Sequence, residues 1–337
     1  MLARHSPIAH AAYSDLLRSL NDEQVADLRG TPSRELRRAR YYWYDTYRIG
    51  STVHKRYIGE DTPELAEAFA RHRELAEEAG DRAARRSRLV RLLRAEGVTA
   101  LDGGTGSLLS ALAKVGTFRL GGTLVGTQAF RLYEAELGIH LGTEASAQTD
   151  DIDIAQFERL SLVLDDTVDQ PLNDTFKELD FTPVPSLKKS AVWRWKQTRS
   201  NTLVEFLTPS FRAEEDIRPL PALGVSAQSL HYLNYLIAAP IKAVALYRAG
   251  VLLQIPRPEC YAVHKLIVAD RRQGTDRLKA VKDRGQAAFL IGVLAEDRPE
   301  DLRDALADAR GRGPRWGQRI DASLARMPET AALLARV

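Results

Sequence analysis

A single cysteine, Cys260, stands among 337 residues, so no internal disulfide can form and nothing points to an oxidising compartment. No stretch approaches the roughly 18 uninterrupted apolar residues that a membrane-spanning helix needs. The opening MLARHSPIAHAAYSDLL lacks the apolar core, about 7–15 residues long, of a secretion signal. A cytoplasmic protein without a membrane partner is therefore expected. Neither sign of charge dominates. Lys+Arg total 48 against 45 Asp+Glu, and a net charge of +3 is too small to announce a nucleic-acid partner by itself. The remaining composition, 44% hydrophobic and 28% charged, is that of a globular chain and excludes a disordered or collagen-like one. The length exceeds one typical domain and supplies ample material for a packed core.

The texture changes along the chain. Residues 1–30 read as one short helix, with Leu16, Leu17, Leu20, Val25 and Leu28 supplying its apolar side. An aromatic stretch over 41–58 predicts a β-hairpin, because aromatic and β-branched residues favour strands and Gly50-Ser51 suits a two-residue turn. Asp61-Thr62-Pro63-Glu64 combines a cap, a first-turn proline and an early acid, which predicts a helix running to about Ala95 and carrying six arginines from Arg82 onward. From about 98 the elements shorten. Helix is expected over Ser107–Lys114, strand over Phe118–Val125, helix over Gln128–Leu137, strand over Asp151–Phe157 and helix near 171–179. Strands Val192–Gln197 and Thr202–Thr208 flank a turn at Arg199-Ser200-Asn201. Beyond Ser226, helical patterns fill 227–248, 258–272, 276–295 and 299–310, with Val251–Ile255 the one strand pattern. The expected fold class is α+β: a mixed β-sheet core over 98–225 flanked by helices, an N-terminal helix and β-hairpin extension over 1–97, and a C-terminal helical domain over 226–337.

Three features of the middle unit carry chemistry together. Leu124-Val125-Gly126-Thr127 is a strand ending in a turn that opens a helix, where outward-pointing backbone amides and a hydroxyl suit a phosphate. Asp151-Ile152-Asp153-Ile154 follows about 25 residues on; residues i and i+2 of a strand face the same way, so both carboxylates project together. Such a pair is costly unless a cation neutralises it, and oxygen ligands suit Mg²⁺. Glu205, among Leu203, Val204, Phe206 and Leu207, completes a three-carboxylate cluster if its strand neighbours the pair. Acid–apolar–acid–apolar strings arise by chance roughly once in a chain of this kind. Glu134-Ala135-Glu136-Leu137 is an internal control, since on a helix i and i+2 diverge. The order and spacing of the three features are what distinguish the Asp pair.

That arrangement resembles the nucleotidyltransferase superfamily, whose signature is an apolar-Gly-Gly/Ser turn, an acid-apolar-acid-apolar strand and a third acid on a later strand. Gly126-Thr127-Gln128-Ala129-Phe130, Asp150-Asp151-Ile152-Asp153-Ile154-Ala155 and Val204-Glu205-Phe206-Leu207-Thr208-Pro209 are similar to a bacterial branch of predicted nucleotidyltransferases, over about residues 105–285. Thr127 replaces the usual Gly or Ser, and Glu205 a frequent Asp. Tyr261 to Val268 and Lys279-Ala280-Val281-Lys282-Asp283-Arg284 resemble the helical motifs of toxin-type nucleotidyltransferases from abortive-infection systems.

The resemblance implies a reaction of the EC 2.7.7 class. An acceptor hydroxyl attacks the α-phosphorus of a nucleoside triphosphate such as ATP, and pyrophosphate leaves. Asp151, Asp153 and Glu205 would be catalytic and would hold Mg²⁺ or Mn²⁺; Gly126 and Thr127 would bind the β- and γ-phosphates; Lys265 would be a phosphate ligand and Asp283 a supporting site residue. RNA or tRNA, a protein, or a small hydroxyl compound are the acceptor classes. Between Thr31 and Arg56, seven Lys/Arg against two Asp/Glu could join the aromatic hairpin in a nucleic-acid surface. Trp193 and Trp195, two apart on a strand, suit core packing or base stacking, and His264 a packing role. A non-catalytic nucleotide-, RNA- or partner-binding module on the same fold, or the toxin of a toxin–antitoxin pair, is the alternative.

Overall fold

The computed structural model of the chain describes residues 3–26, 28, 31–37, 40–49, 52–71, 79–141, 151–164, 166–185, 191–211, 215–272 and 276–337. The N-terminal helix α1 (Pro7–Ala26) buries Leu16 and Leu20 as its apolar spacing dictates. The expected hairpin is present as β2 (Arg40–Ile49) and β3 (Thr52–Glu60), but a strand not anticipated, β1 (Thr31–Arg37), pairs with β2 to make a three-stranded antiparallel sheet. The Gly50-Ser51 turn lies outside the described residues. Helix α2 (Pro63–Ala70) starts as predicted: the Thr62 hydroxyl accepts from Leu65 N–H at 3.2 Å, with Pro63 in the first turn. The arginine-rich helix α3 is described over Ala79–Ala95, and residues 72–78 between α2 and α3 lie outside the described set.

The central sheet starts after α4 (Gly103–Lys114), which is capped by Asp102. The strand expected over Phe118–Val125 shortens to β4 (Thr123–Val125). Its first half instead closes consecutive turns, with Leu120 N–H donating to Gly116 and Gly122 N–H to Thr117. Next come α5 (Gly126–Leu137), β5 (Asp151–Ala155), α6 (Glu158–Val163), α7 (Leu172–Glu178), β6 (Phe181–Pro183), β7 (Arg194–Gln197), β8 (Leu203–Pro209), β9 (Ile217–Leu220) and β10 (Val225–Leu230). The sheet order is β4-β5-β8-β10-β9. The first half of β8 also pairs antiparallel with β7, and β7 with β6. Strand β5 runs parallel to β8 and antiparallel to β4.

The helix expected over 227–248 is corrected. Only one turn, α8 (Leu233–Leu236), lies there. Residues 225–230 form β10, and β11 (Ile241–Ala245) pairs with β12 (Val251–Ile255). The boundary expected at 225/226 therefore falls inside a strand of the central sheet. Ala and Gln read as helix formers, but Val225, Ala227 and Ser229 are buried in alternation, so tertiary burial overrode propensity. Among the described residues five helices follow: α9 (Pro258–Arg271), α10 (Arg277–Asp297), α11 (Pro299–Gly311), α12 (Pro314–Leu324) and α13 (Pro328–Leu334). Their apolar faces, including Leu266, Leu290, Leu294 and Leu302, join Ile152, Val204 and Phe206 of the sheet in one continuous core.

Candidate active site

Alternation along β5 decides which way the acids point. Ile152 and Ile154 are fully buried, so Asp151 and Asp153 emerge on the opposite face, each half-buried. The parallel register places Asp153 opposite Glu205, with Ile152 beside Val204 and Ile154 beside Phe206. Two acids about 50 residues apart thus become neighbours on one face. On the other side of β5, Val125 is the register partner of Asp153, so the next residue, Gly126, turns into α5 directly against the Asp153 carboxylate.

Gly126 is needed there for two reasons. Its φ is +68°, in the left-handed region, and a Cβ at this position would lie 2.5 Å from Asp153 Oδ2. Thr127, the second residue of α5, is buried. The turn is pinned from behind by α9: the Tyr261 hydroxyl donates to the Gly126 carbonyl at 2.9 Å and lies 3.1 Å from Gln286 Oε1 on α10. The Tyr261 ring packs against Phe130 and Tyr133 of α5.

The same two helices bring positive charge. One turn beyond Tyr261, Lys265 is buried, and its Nζ donates to Asp283 Oδ1 at 2.5 Å. Arg272, just past the end of α9, donates from Nε to Asp283 Oδ2 at 2.5 Å. Asp283 is therefore a buried acid held between two cations, and Lys265 is not the solvated lysine that its sequence alone allows. Burial pushes the Asp283 carboxyl up, but Lys265 and Arg272 outweigh it and hold the group below the ordinary range.

The strand acids behave oppositely. Asp153 is pushed up to about 7, first by burial and then by the Glu205 and Asp151 carboxylates, with Lys265 and Arg272 opposing. Burial also raises Glu205, against the pull of Arg194, whose Nη1 lies 3.6 Å from Glu205 Oε1. An all-oxygen set of this kind suits a hard divalent cation. The three carboxylates are not gathered within 4.8 Å of one another, so side-chain rotation would have to bring them onto one ion. They are half-buried, and none of them lines the cavity of about 370 Å³ formed by Leu20, Arg56, Lys114, Arg119 and Gly250.

A family model described as nucleotidyltransferase matches residues 104–311, a span that takes in the Gly126 turn, the three strand acids, Arg194, Tyr261, Lys265, Arg272 and Asp283. The chain belongs to that family. No curated protein and no solved structure gives a significant match. Within this chain the structure sets Asp153 beside Glu205, with Asp151 on the same face of the sheet, places Gly126 against Asp153, and pairs Lys265 with Asp283 on the helices behind. Arg194, Arg272 and Tyr261 were not singled out as functional from the sequence. Arg194 lay in a predicted strand, but only its register with Glu205 reveals its place.

Other expectations resolve as packing. Trp195 is buried in a ring cluster, stacked on Phe176 at 4.7 Å, and His264 is buried and held neutral by burial, its pKa lowered to about 3. In the aromatic hairpin Tyr42, Tyr44 and Tyr57 are in the core and Trp43 packs on Phe69 while donating to Asp61, whereas Tyr41 stays exposed. On α3, Arg88, Arg91 and Arg94 remain exposed, whereas Arg82 and Arg86 are buried and Arg86 is bonded to Glu23.

Gly126→Ala separates the two demands on the turn. It is expected to lose about 1–2 kcal/mol from the left-handed backbone, and about tenfold in turnover as Asp153 is displaced. Gly224, with φ +64° and open space around its Cβ position, carries the backbone cost alone. Urea unfolding should destabilise both alanine variants similarly, while nucleotidyl-transfer assays should show Gly224→Ala active. A Gly126→Ala protein of full activity would remove the turn from the site.

Proposed function

We infer that this protein is a divalent-cation-dependent nucleotidyltransferase moving an NMP from an NTP, ATP among them, to an acceptor hydroxyl with release of pyrophosphate. The observation that carries the reading is the register setting Asp153 beside Glu205 and, across β5, beside the Gly126 turn. Asp151, Asp153 and Glu205 are the residues that would hold Mg²⁺ or Mn²⁺, which when bound would activate the acceptor hydroxyl and neutralise triphosphate charge. The N-terminus of α5 presents backbone N–H groups that suit the β- and γ-phosphates. Lys265 adds a fixed positive charge near Asp153, and Asp283 holds that lysine in place. The Tyr261 bond keeps the Gly126 turn from moving away when phosphate binds.

The test is incubation of the purified chain with each α-labelled NTP and a total cellular extract, with and without Mg²⁺. Cation-dependent pyrophosphate release and transfer of label to an acceptor are expected, and both should be lost in Glu205→Gln. Equal pyrophosphate release by wild type and Glu205→Gln would falsify the assignment.

A further inference from the structure

Away from the strand acids, three residues from separate parts of the chain meet. His5 precedes α1, Glu134 lies on α5, and His140 follows α5. The backbone holds them there through a bridge between Arg4 and Ile139: His5 N–H donates to Gly138 at 2.9 Å and His140 N–H to Ala3 at 2.9 Å. The two oxygens of Glu134 have divided duties. Oε2 accepts from Thr99 N–H at 3.0 Å, which leaves Oε1 facing both imidazoles, His5 Nε2 at 3.6 Å and His140 Nδ1 at 3.9 Å. One ligand atom from each residue falls within 4.8 Å of the other two.

Those separations are too long for hydrogen bonds. They approach the edge, about 3.4 Å, of a tetrahedron with zinc–nitrogen and zinc–oxygen bond lengths. The His5 side chain is 1% exposed, and neither of its ring nitrogens has a hydrogen-bond partner. A buried imidazole without partners is unfavourable, and binding a cation through a nitrogen lone pair relieves that. The Thr99 bond also orients the carboxylate from outside, as groups around metal sites do.

We propose that His5, Glu134 and His140 bind Zn²⁺. Two imidazoles and one carboxylate favour zinc over magnesium, which prefers oxygen alone. His140 is 42% exposed in its side chain, so water can complete the coordination from that side. The ion ties the segment ahead of α1 to α5, the helix whose first residue is Gly126. It is separate from the cation at the strand acids, and its occupancy does not depend on nucleotide.

The experiment strips the full chain with EDTA, adds zinc chloride, removes unbound metal by gel filtration, and measures retained zinc and Tm. About one zinc per chain and a raised Tm are expected, and Co²⁺ in its place should give the visible bands of a four-coordinate site. His140→Ala changes an exposed ring and should fold; together with His5→Gln it is expected to weaken zinc binding by more than about 100-fold. Asp153→Asn should bind zinc as wild type does. Zinc absent from the wild-type chain, retained by both histidine variants, or lost in Asp153→Asn instead would each overturn the proposal.

Discussion

Asp153→Asn is expected to inactivate the protein and stabilise it in the same step. The Asp153 carboxyl is raised to about 7 from an ordinary 3.8, by burial first and by Glu205 and Asp151 next. A raised carboxyl pKa means that the folded state binds this proton more tightly than the unfolded chain does. Ionised Asp153 therefore begins to weaken the fold as pH rises past about 3.8, and the full penalty is present above about 7. Asparagine removes it. At pH 8 the variant should be more stable than wild type by on the order of 2 kcal/mol, a figure reduced for the residue's partial contact with solvent. The difference should close as the pH falls towards 4. Turnover should drop about 10²-fold or more, since cation affinity at the strand acids goes with the charge. Added Mg²⁺ should narrow the stability gap, because it relieves wild type and not the variant. Thermal melts at pH 4 and pH 8, with and without Mg²⁺, alongside the labelled-NTP assay, check every part. A variant less stable than wild type at pH 8 would contradict the charge balance described here.

Asp283→Ala should have the larger effect on stability and the opposite sign. It strips the shared partner from Lys265 and Arg272, and breaking a buried pair costs about 3 kcal/mol or more. Because its folded pKa is depressed, the contribution of Asp283 is present above its ordinary 3.8 and is lost as the pH falls below it. The double variant Lys265→Met with Asp283→Leu replaces the pair by apolar groups. Arg272, partly exposed and 4.0 Å from Asp276, can turn to solvent or that neighbour. Urea midpoints should show the double variant recovering most of the loss, to within about 1 kcal/mol of wild type. Its turnover should stay low, because no cation is left at position 265. Recovery of stability and activity together would assign the pair a packing role alone; recovery of neither would show that Asp283 matters through other contacts.

The strand acids were legible because their signal is local. A turn opening a helix, an alternating Asp pair and a third acid in an apolar strand can each be read from a few neighbouring letters, and alternation alone fixes which face the acids share. Parallel pairing of β5 with β8 could only be supposed, since register depends on contacts that no short window contains. The same limit hid Arg194, placed by its register with Glu205, and Arg272, placed by the path of the chain beyond α9. The segment 227–248 misread for a different reason: its Ala- and Gln-containing strands carry helix-forming letters, and burial on the sheet decided otherwise. The control pair behaved as helical spacing requires, with Glu134 turned to His5 and Glu136 accepting from the Tyr13 hydroxyl at 3.2 Å.

The Lys265–Asp283 pair has a temporal consequence during biosynthesis. The acids on β5 and β8 leave the ribosome well before α9 and α10, so a growing chain displays them before their counter-charges and the Tyr261 anchor have been made. Chains released early would carry the acid motifs without the fixed cations behind them. The charge balance around Asp153 is thereby complete only once the C-terminal helices are made.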